Sequence, residues 1–252
     1  MTEDMRKRAA LVTGASSGIG EAAVRALRAD GWTVFAVARR AERLAALESA
    51  TGAVACPADI AEDDDVSRLL AQVTAAGGIH TLINIAGGAR GADRVAEANT
   101  ADWEWMYRVN VLGTMKLTRA FLPMLRAAGG GTVLNLTSTA GLAAYEGGGG
   151  YNAAKFAQHA MTNALRLEEA EHNVRVIEVA PGLVQTEEFA LNRLGDAQAA
   201  DKVYQGVEKP LSAGDVADVI RYAVTVPHHV NLDQIIVRPV AQPANYKLNR
   251  KG

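Results

Sequence analysis

Cysteine is nearly missing: Cys56 is the single one in 252 residues, so no internal disulfide can form and one thiol makes no metal site. Aromatic residues are scarce at 5%, and neither sign of charge dominates, with 26 Lys and Arg against 28 Asp and Glu. Lacking a basic stripe and a surface for stacking bases, the chain is not expected to bind nucleic acid. No apolar run reaches the roughly 18 residues of a membrane helix. The opening M-T-E-D-M-R-K-R lacks the apolar core of a secretory signal. The five histidines, at 80, 159, 172, 228 and 229, are scattered, and the last two follow Pro227 in a turn where solvation explains them better than ligation. These absences predict a cytoplasmic, metal-free protein with no membrane partner.

What is present is the balance of an ordinary globular chain, 49% hydrophobic and 21% charged, in a length that one α/β domain fills. Short apolar runs at 9–13, 33–38, 53–56, 79–84, 132–137, 174–180 and 232–237 read as buried strands. Helical stretches separate them, the longest over 100–126 and 151–169, and Ser212 opens another that runs to 226. That alternation predicts a single domain over 1–252, with one seven-stranded parallel sheet covered on both faces. No linker or repeat interrupts it. The polar segment 182–210 has weak periodicity and is expected to act as a lid.

Chemistry concentrates between Ser138 and Lys155, in S-T-A-G-L-A-A-Y-E-G-G-G-G-Y-N-A-A-K. Tyr151 and Lys155, four residues apart, share one helical face. An ammonium beside a phenol stabilises the phenolate, so Lys155 is expected to draw Tyr151 down from about 10. A phenol tuned in that way exchanges protons with an alcohol or carbonyl near neutral pH. Ser138, at the end of a strand, stands ready to bond the same substrate oxygen.

Upstream, the strand at 9–13 runs directly into Gly14, Gly18 and Gly20 and then a helix. This arrangement aims backbone N–H groups and a helix N-terminus at a phosphate, although the spacing is not G-x-G-x-x-G. The second strand ends at Arg39 and Arg40. In a dinucleotide-binding domain an acid at this point takes the ribose 2′-hydroxyl, whereas arginine suits a 2′-phosphate. Arg39 stands where the acid would be, which favours NADP over NAD; the alternative is a solvated pair at a helix start. Asp59 either accepts from an adenine amino group or caps the next helix. Asn84 closes the fourth strand at its ligand-facing end. Asn110, in R-V-N-V-L-G, is a poor helix former in mid-helix: it is either a capping accident or has a buried partner.

Taken in order, T-G-A-S-S-G-I-G at 13–20, Asp59, N-x-A-G at 84–87, Asn110, Ser138, Y-x-x-x-K at 151–155 and P-G-x-x-x-T at 181–186 resemble the short-chain dehydrogenase/reductase family over nearly the whole chain. Ile85 departs from the pattern, where the family usually has a second asparagine. The resemblance implies a Rossmann-type doubly wound α/β fold with NADP (NADPH) as cofactor, and a homotetramer packed through the two long helices and the last strand. It makes Tyr151 the general acid/base and has Lys155 lower its pKa while holding the nicotinamide ribose. Ser138 steadies the reacting oxygen, and Asn110 positions a water that relays protons through Lys155. It implies that Gly14, Gly18 and Gly20 line the pyrophosphate, Asp59 the adenine and Asn84 the adenosine ribose region, while the backbone near Val184 and Thr186 holds the carboxamide. Ser16, Ser17, Ile19, Arg39, Arg40, Ile60, Ala86, Gly87, Pro181 and Gly182 complete the implied cofactor-binding set. The later segments P-G-L-V-Q-T-E-E-F, D-V-A-D-V-I-R-Y-A-V and P-H-H-V-N-L look like the branch of NADP-dependent serine and 3-hydroxy acid dehydrogenases. The alternative within the family is a reductase of aldehydes, ketones or 3-oxoacyl substrates. For a hydroxy acid's carboxylate, Arg193 is the first candidate cation and Arg90 the second, both from loops beyond a strand's carboxyl end.

Overall fold

The computed structural model describes residues 8–251. Its strands are β1 (Ala9–Thr13), β2 (Thr33–Ala38), β3 (Val54–Pro57), β4 (Thr81–Asn84), β5 (Thr132–Leu136), β6 (Arg175–Pro181), β7 (Val184–Gln185), β8 (Leu211–Ser212) and β9 (Gln234–Val237). Seven of them form one sheet in the order β3-β2-β1-β4-β5-β6-β9, and every pairing is parallel. Parallel neighbours need crossovers, supplied by α1 (Gly18–Ala29), α2 (Ala41–Thr51), α3 (Asp63–Ala75), α4 (Thr100–Tyr107), α5 (Thr114–Ala127), α6 (Gly149–Glu169) and α9 (Ala213–Thr225). Two shorter helices, α7 (Phe189–Leu194) and α8 (Ala197–Tyr204), lie between β7 and β8.

Side-chain alternation along the strands sorts the core into two layers. Val12, Val34, Ala36, Ile177 and Val179 pack with α1, α2 and α9 through residues such as Val24, Leu44 and Ile220. Leu11, Phe35, Val37 and Val176 face the other way, against Leu69, Phe121, Leu125 and Leu165 of α3, α5 and α6. A sheet buried on both faces explains the nearly continuous apolar runs of its strands. This is the doubly wound α/β fold.

One expectation needs correction. The helix over 100–126 is broken: between α4 and α5, residues Arg108–Gly113 form a π-helical stretch. At the segment 182–210, β7 and β8 pair in parallel, Val184 with Leu211 and Gln185 with Ser212, and clasp α7 and α8 between them. Ser212 does cap its helix, in a reciprocal capping box with Asp215.

Candidate active site

The strand order reverses between β1 and β4, and open α/β sheets take ligands beyond the strand ends at such a point. Thr13 ties the two strands together there, its Oγ1 accepting from the N–H groups of Ile85 and Ala86, both at 2.9 Å. Gly14 (φ +69°) and Gly18 (φ +54°) adopt the left-handed backbone that turns β1 into α1. A Cβ at Gly20 would collide with the Gly14 carbonyl. Ser17, the N-cap of α1, makes no side-chain cap bond and leaves the helix's first N–H groups without one. Ile19 is partly buried against the core, and Thr186, just after β7, covers the turn, its Cγ2 3.4 Å from where a Gly18 Cβ would stand.

Above this turn sits Arg40. Its Nε and Nη2 donate to Ser16 Oγ at 3.1 and 2.9 Å, and Nη2 also to Ser17 Oγ at 2.9 Å. Arg39, expected to lead, is exposed and has no hydrogen bond or ion pair among the described residues. The difference is one of direction, since successive residues leaving a strand point to opposite sides. Asp59 Oδ1 accepts from Ala61 N at 3.0 Å, so one oxygen serves the local turn. The Ile60 side chain is turned into the core. Asn84 is buried, with Nδ2 donating to Thr118 Oγ1 at 3.1 Å and Asn135 Oδ1 at 2.9 Å. Its Nδ2 ties β4 to β5 and to α5, while its Oδ1 is buried without a hydrogen-bond partner among the described residues.

Asn110 is fully buried in the π-helical stretch. Its Nδ2 donates to Met106 O at 2.7 Å and Gly88 O at 2.9 Å, and its Oδ1 accepts from Gly88 N at 3.1 Å. The side chain thus pins the turn after β4, where a Cβ on Gly87 would strike it. Ser138 opens a single 3₁₀ turn, with Oγ accepting from Ala140 N at 3.1 Å and donating to Pro181 O at 3.4 Å. That turn reaches α6 because Gly141 has no side chain; a Cβ there would lie 2.6 Å from Lys155 O. Glycines 148–150 let the start of α6 approach Trp103, Met106 and Tyr145 in the same way.

Tyr151 and Lys155 are both buried, with Lys155 Nζ 5.8 Å from the phenol ring centroid. Nζ donates to Gln158 Oε1 at 2.7 Å and Leu136 O at 3.2 Å. Burial pushes the Tyr151 phenol above its ordinary value, Tyr145 adds to this, and the Ser138 hydroxyl and Arg193 pull the other way. The expected lowering by Lys155 is not seen. Burial drives Lys155 itself down to about 7, with Glu178 opposing. The lysine spends its donors on Gln158 and a backbone carbonyl rather than on the phenol.

The cleft beside Tyr151 is lined by Arg90, Trp103, Gly148, Tyr151 and Arg193. Arg193 on α7 donates to Gly91 O at 3.1 Å, Tyr145 hydroxyl at 2.9 Å and Gly147 O at 3.0 Å, and its guanidinium carbon is 5.9 Å from the Tyr151 ring centroid. Arg90 lies 4.0 Å over the Trp105 ring and 3.8 Å from Asp102. Among the described residues no group of three His, Cys, Asp or Glu could hold a metal ion, and no helix is long and apolar enough to cross a membrane.

The family model for short chain dehydrogenase matches residues 8–195. An uncharacterised oxidoreductase of Mycobacterium tuberculosis is 51% identical over 235 residues, 93% of this chain and 92% of that protein. The chain belongs to the short-chain dehydrogenase family. It is similar to sulfoacetaldehyde reductase 2 of Chromohalobacter salexigens, at 37% identity over 238 residues, 92% of this chain and 94% of that one. Among solved structures, the closed form of serine dehydrogenase complexed with NADP⁺ superposes with a TM-score of 0.90 at 35% identity, covering 94% of this chain and 96% of that one. This short-chain dehydrogenase is therefore an oxidoreductase.

Its site also uses residues that no local pattern announces. Gln242 Oε1 accepts from Leu183 N at 2.7 Å and fills the space a Gly182 side chain would need, holding the turn after Pro181. Asn245 Nδ2 donates to Thr139 O and, at 2.8 Å, to Ala143 O, bracing the Ser138 turn. Tyr204 hydroxyl donates to Val184 O at 3.2 Å. Gln158, fully buried, orients Lys155. The Gln242 and Asn245 contacts join residues far apart in the chain, and polar side chains in loops carry no periodicity that would have revealed them; Gln158 is three residues from Lys155 on α6.

Proposed function

We propose that this short-chain dehydrogenase is NADP-dependent and transfers a hydride to or from a small, anionic carbonyl or alcohol substrate of the 3-hydroxy acid kind. The observation that carries the proposal is that two sites lie beyond the carboxyl ends of one sheet's strands, Arg40 over the glycine turn and Ser138 with Tyr151 and Arg193, and that adjacent residues touch both, Glu188 bonding Arg40 and Phe189 meeting the Tyr151 ring. The relatives' names agree, since serine and sulfoacetaldehyde both carry an anionic group close to the reacting carbon. The cofactor fits the residues present: the turn allows no side chain at Gly20, the α1 N-terminus is without a side-chain cap, and a guanidinium lies over two serine hydroxyls.

Bound there, the nicotinamide supplies or accepts the hydride. In reduction, Tyr151 gives its phenolic proton to the carbonyl oxygen as the carbon gains hydride; in oxidation it takes that proton back. Ser138 donates to the same oxygen and steadies the charge that builds on it. Lys155 Nζ, 5.8 Å from the phenol ring and with one of its three N–H groups unbonded, stabilises the phenolate left behind through that remaining donor, and Asn110 fixes the turn on which the ribose would rest. Arg193 keeps two N–H groups beyond the three it has bonded and meets the substrate's anionic group, while Arg90 is held by Trp105 and Asp102.

A substrate panel with NADP⁺ and NAD⁺ tests this directly, using serine, allo-threonine, 3-hydroxybutyrate and an uncharged secondary alcohol. Turnover of the acids with NADP⁺ is the expected result. Arg193→Ala should raise KM for the acids about tenfold or more relative to the neutral alcohol, as loss of a charged hydrogen bond does. Turnover of the neutral alcohol alone would reassign the protein to aldehyde and ketone reduction.

A further inference from the structure

Glu188, just before α7, reaches from the lid back to the glycine turn. Its Oε1 accepts from Arg40 Nη1 at 2.6 Å and lies 3.3 Å from Arg43 Nη2, and its Oε2 accepts from Ser17 Oγ at 3.0 Å. With Ser16 and Ser17 already taking three donations, Arg40 keeps one free N–H of its five. Two guanidiniums and a hydroxyl around one anion form the donor set that a phosphate monoester seeks. In this structure the anion comes from the chain itself. Attraction to Arg40 keeps the Glu188 carboxyl below the usual carboxylate range, so it carries its charge at neutral pH. A phosphate dianion entering beside it would meet like-charge repulsion in a shell with one donor to spare.

We propose that Glu188 determines cofactor specificity as an internal competitor: its carboxylate occupies the Arg40–Ser17–Arg43 cradle and is displaced by the cofactor's 2′-phosphate. The proposal rests on the NADP reading above. Displacement would be felt at the reacting end, because Phe189, the next residue, lies edge-on to Tyr151 at 5.8 Å, and Arg193 ends the same short helix. A nucleotide lacking the 2′-phosphate leaves Glu188, and with it the start of α7, in place.

The test is calorimetric binding of adenosine 2′,5′-bisphosphate and adenosine 5′-monophosphate to the full chain and to Glu188→Gln. Removing a competitor raises the fraction of competent sites, so the bisphosphate should bind about tenfold tighter to the variant while the monophosphate stays within about twofold. Glu188→Ala, which also loses the Ser17 bond, should tighten the bisphosphate at least as much. Glu187→Gln removes the same charge one residue away, where the carboxylate touches Arg43 alone at 3.2 Å, and should change bisphosphate affinity by less than about threefold. Unchanged or weaker bisphosphate binding in both Glu188 variants overturns the proposal, and so does an equal gain in Glu187→Gln. A wild type with no preference for the bisphosphate overturns the NADP reading and this proposal with it. A clear wild-type preference that Glu188 substitution does not alter removes Glu188 alone.

Discussion

Burial makes charge costly at both Tyr151 and Lys155, and because one is an acid and the other a base, their pKa values move in opposite directions. With Lys155 near 7 in the folded protein against an ordinary 10.5, the unfolded chain binds more protons between those values, and stability rises with pH wherever that holds. Wild type should therefore gain stability over Lys155→Met as pH climbs from about 7 to about 9.5, in a series of urea melts. A flat difference across that range would show that Lys155 keeps its proton when folded. Tyr151→Phe removes the transferable proton but none of the Lys155 bonds, so kcat should fall by about 10²–10⁴-fold with NADPH affinity nearly unchanged. Near-normal turnover in that variant would mean that another group donates the proton.

At the scale of elements, the π-helical stretch between α4 and α5 does most to shape the site. R-V-N-V-L-G reads as well in an α-helix as in a π-helix, and what decides is tertiary: Asn110 must reach both polar groups of Gly88. Such stretches gather at functional sites, and the odd placement of asparagine in mid-helix was its one visible sign. Strands β1 and β2 could be read to the residue because their apolar runs end at glycine or charge. The starts of β3, β4, β6 and β9 fall later than their apolar runs suggest, by one or two residues. Ser138, Tyr151 and the glycine turn were legible because their spacing is local. Glu188, Gln242 and Asn245 were not, since each acts on a partner about 60 or more residues away. The glycine turn itself admits a direct test. In Gly20→Ala the new methyl meets backbone rather than a yielding side chain, so stability should drop by about 1–3 kcal/mol and NADPH binding should weaken with it. Unchanged melting temperature and affinity would mean that the turn has more room than these contacts allow.

Across the whole molecule, the candidate site lies beyond the carboxyl ends of the strands while an apolar groove opens on the flank between α4 and α6, lined by Tyr107, Leu112 and Ala153 among others. Tyr107 and Leu112 are 47% and 38% exposed. We propose that this flank packs against another copy of the chain, as the homotetramer implied by the family resemblance would require. Light scattering should give about four chain masses for wild type and fewer for Leu112→Glu, because a buried interface does not accept an unpaired charge. A monomeric wild type would refute the assignment. The braces at Gln242 and Asn245 carry a different consequence, one of timing. The ribosome delivers Ser138, Tyr151 and Lys155 well before the two amides that close the turns around them. A nascent chain halted short of Gln242 thus has Ser138, Tyr151 and Lys155 but lacks the clasps that brace the turns around them. Competence for chemistry should arrive late in synthesis and abruptly, after the doubly wound core has had time to form.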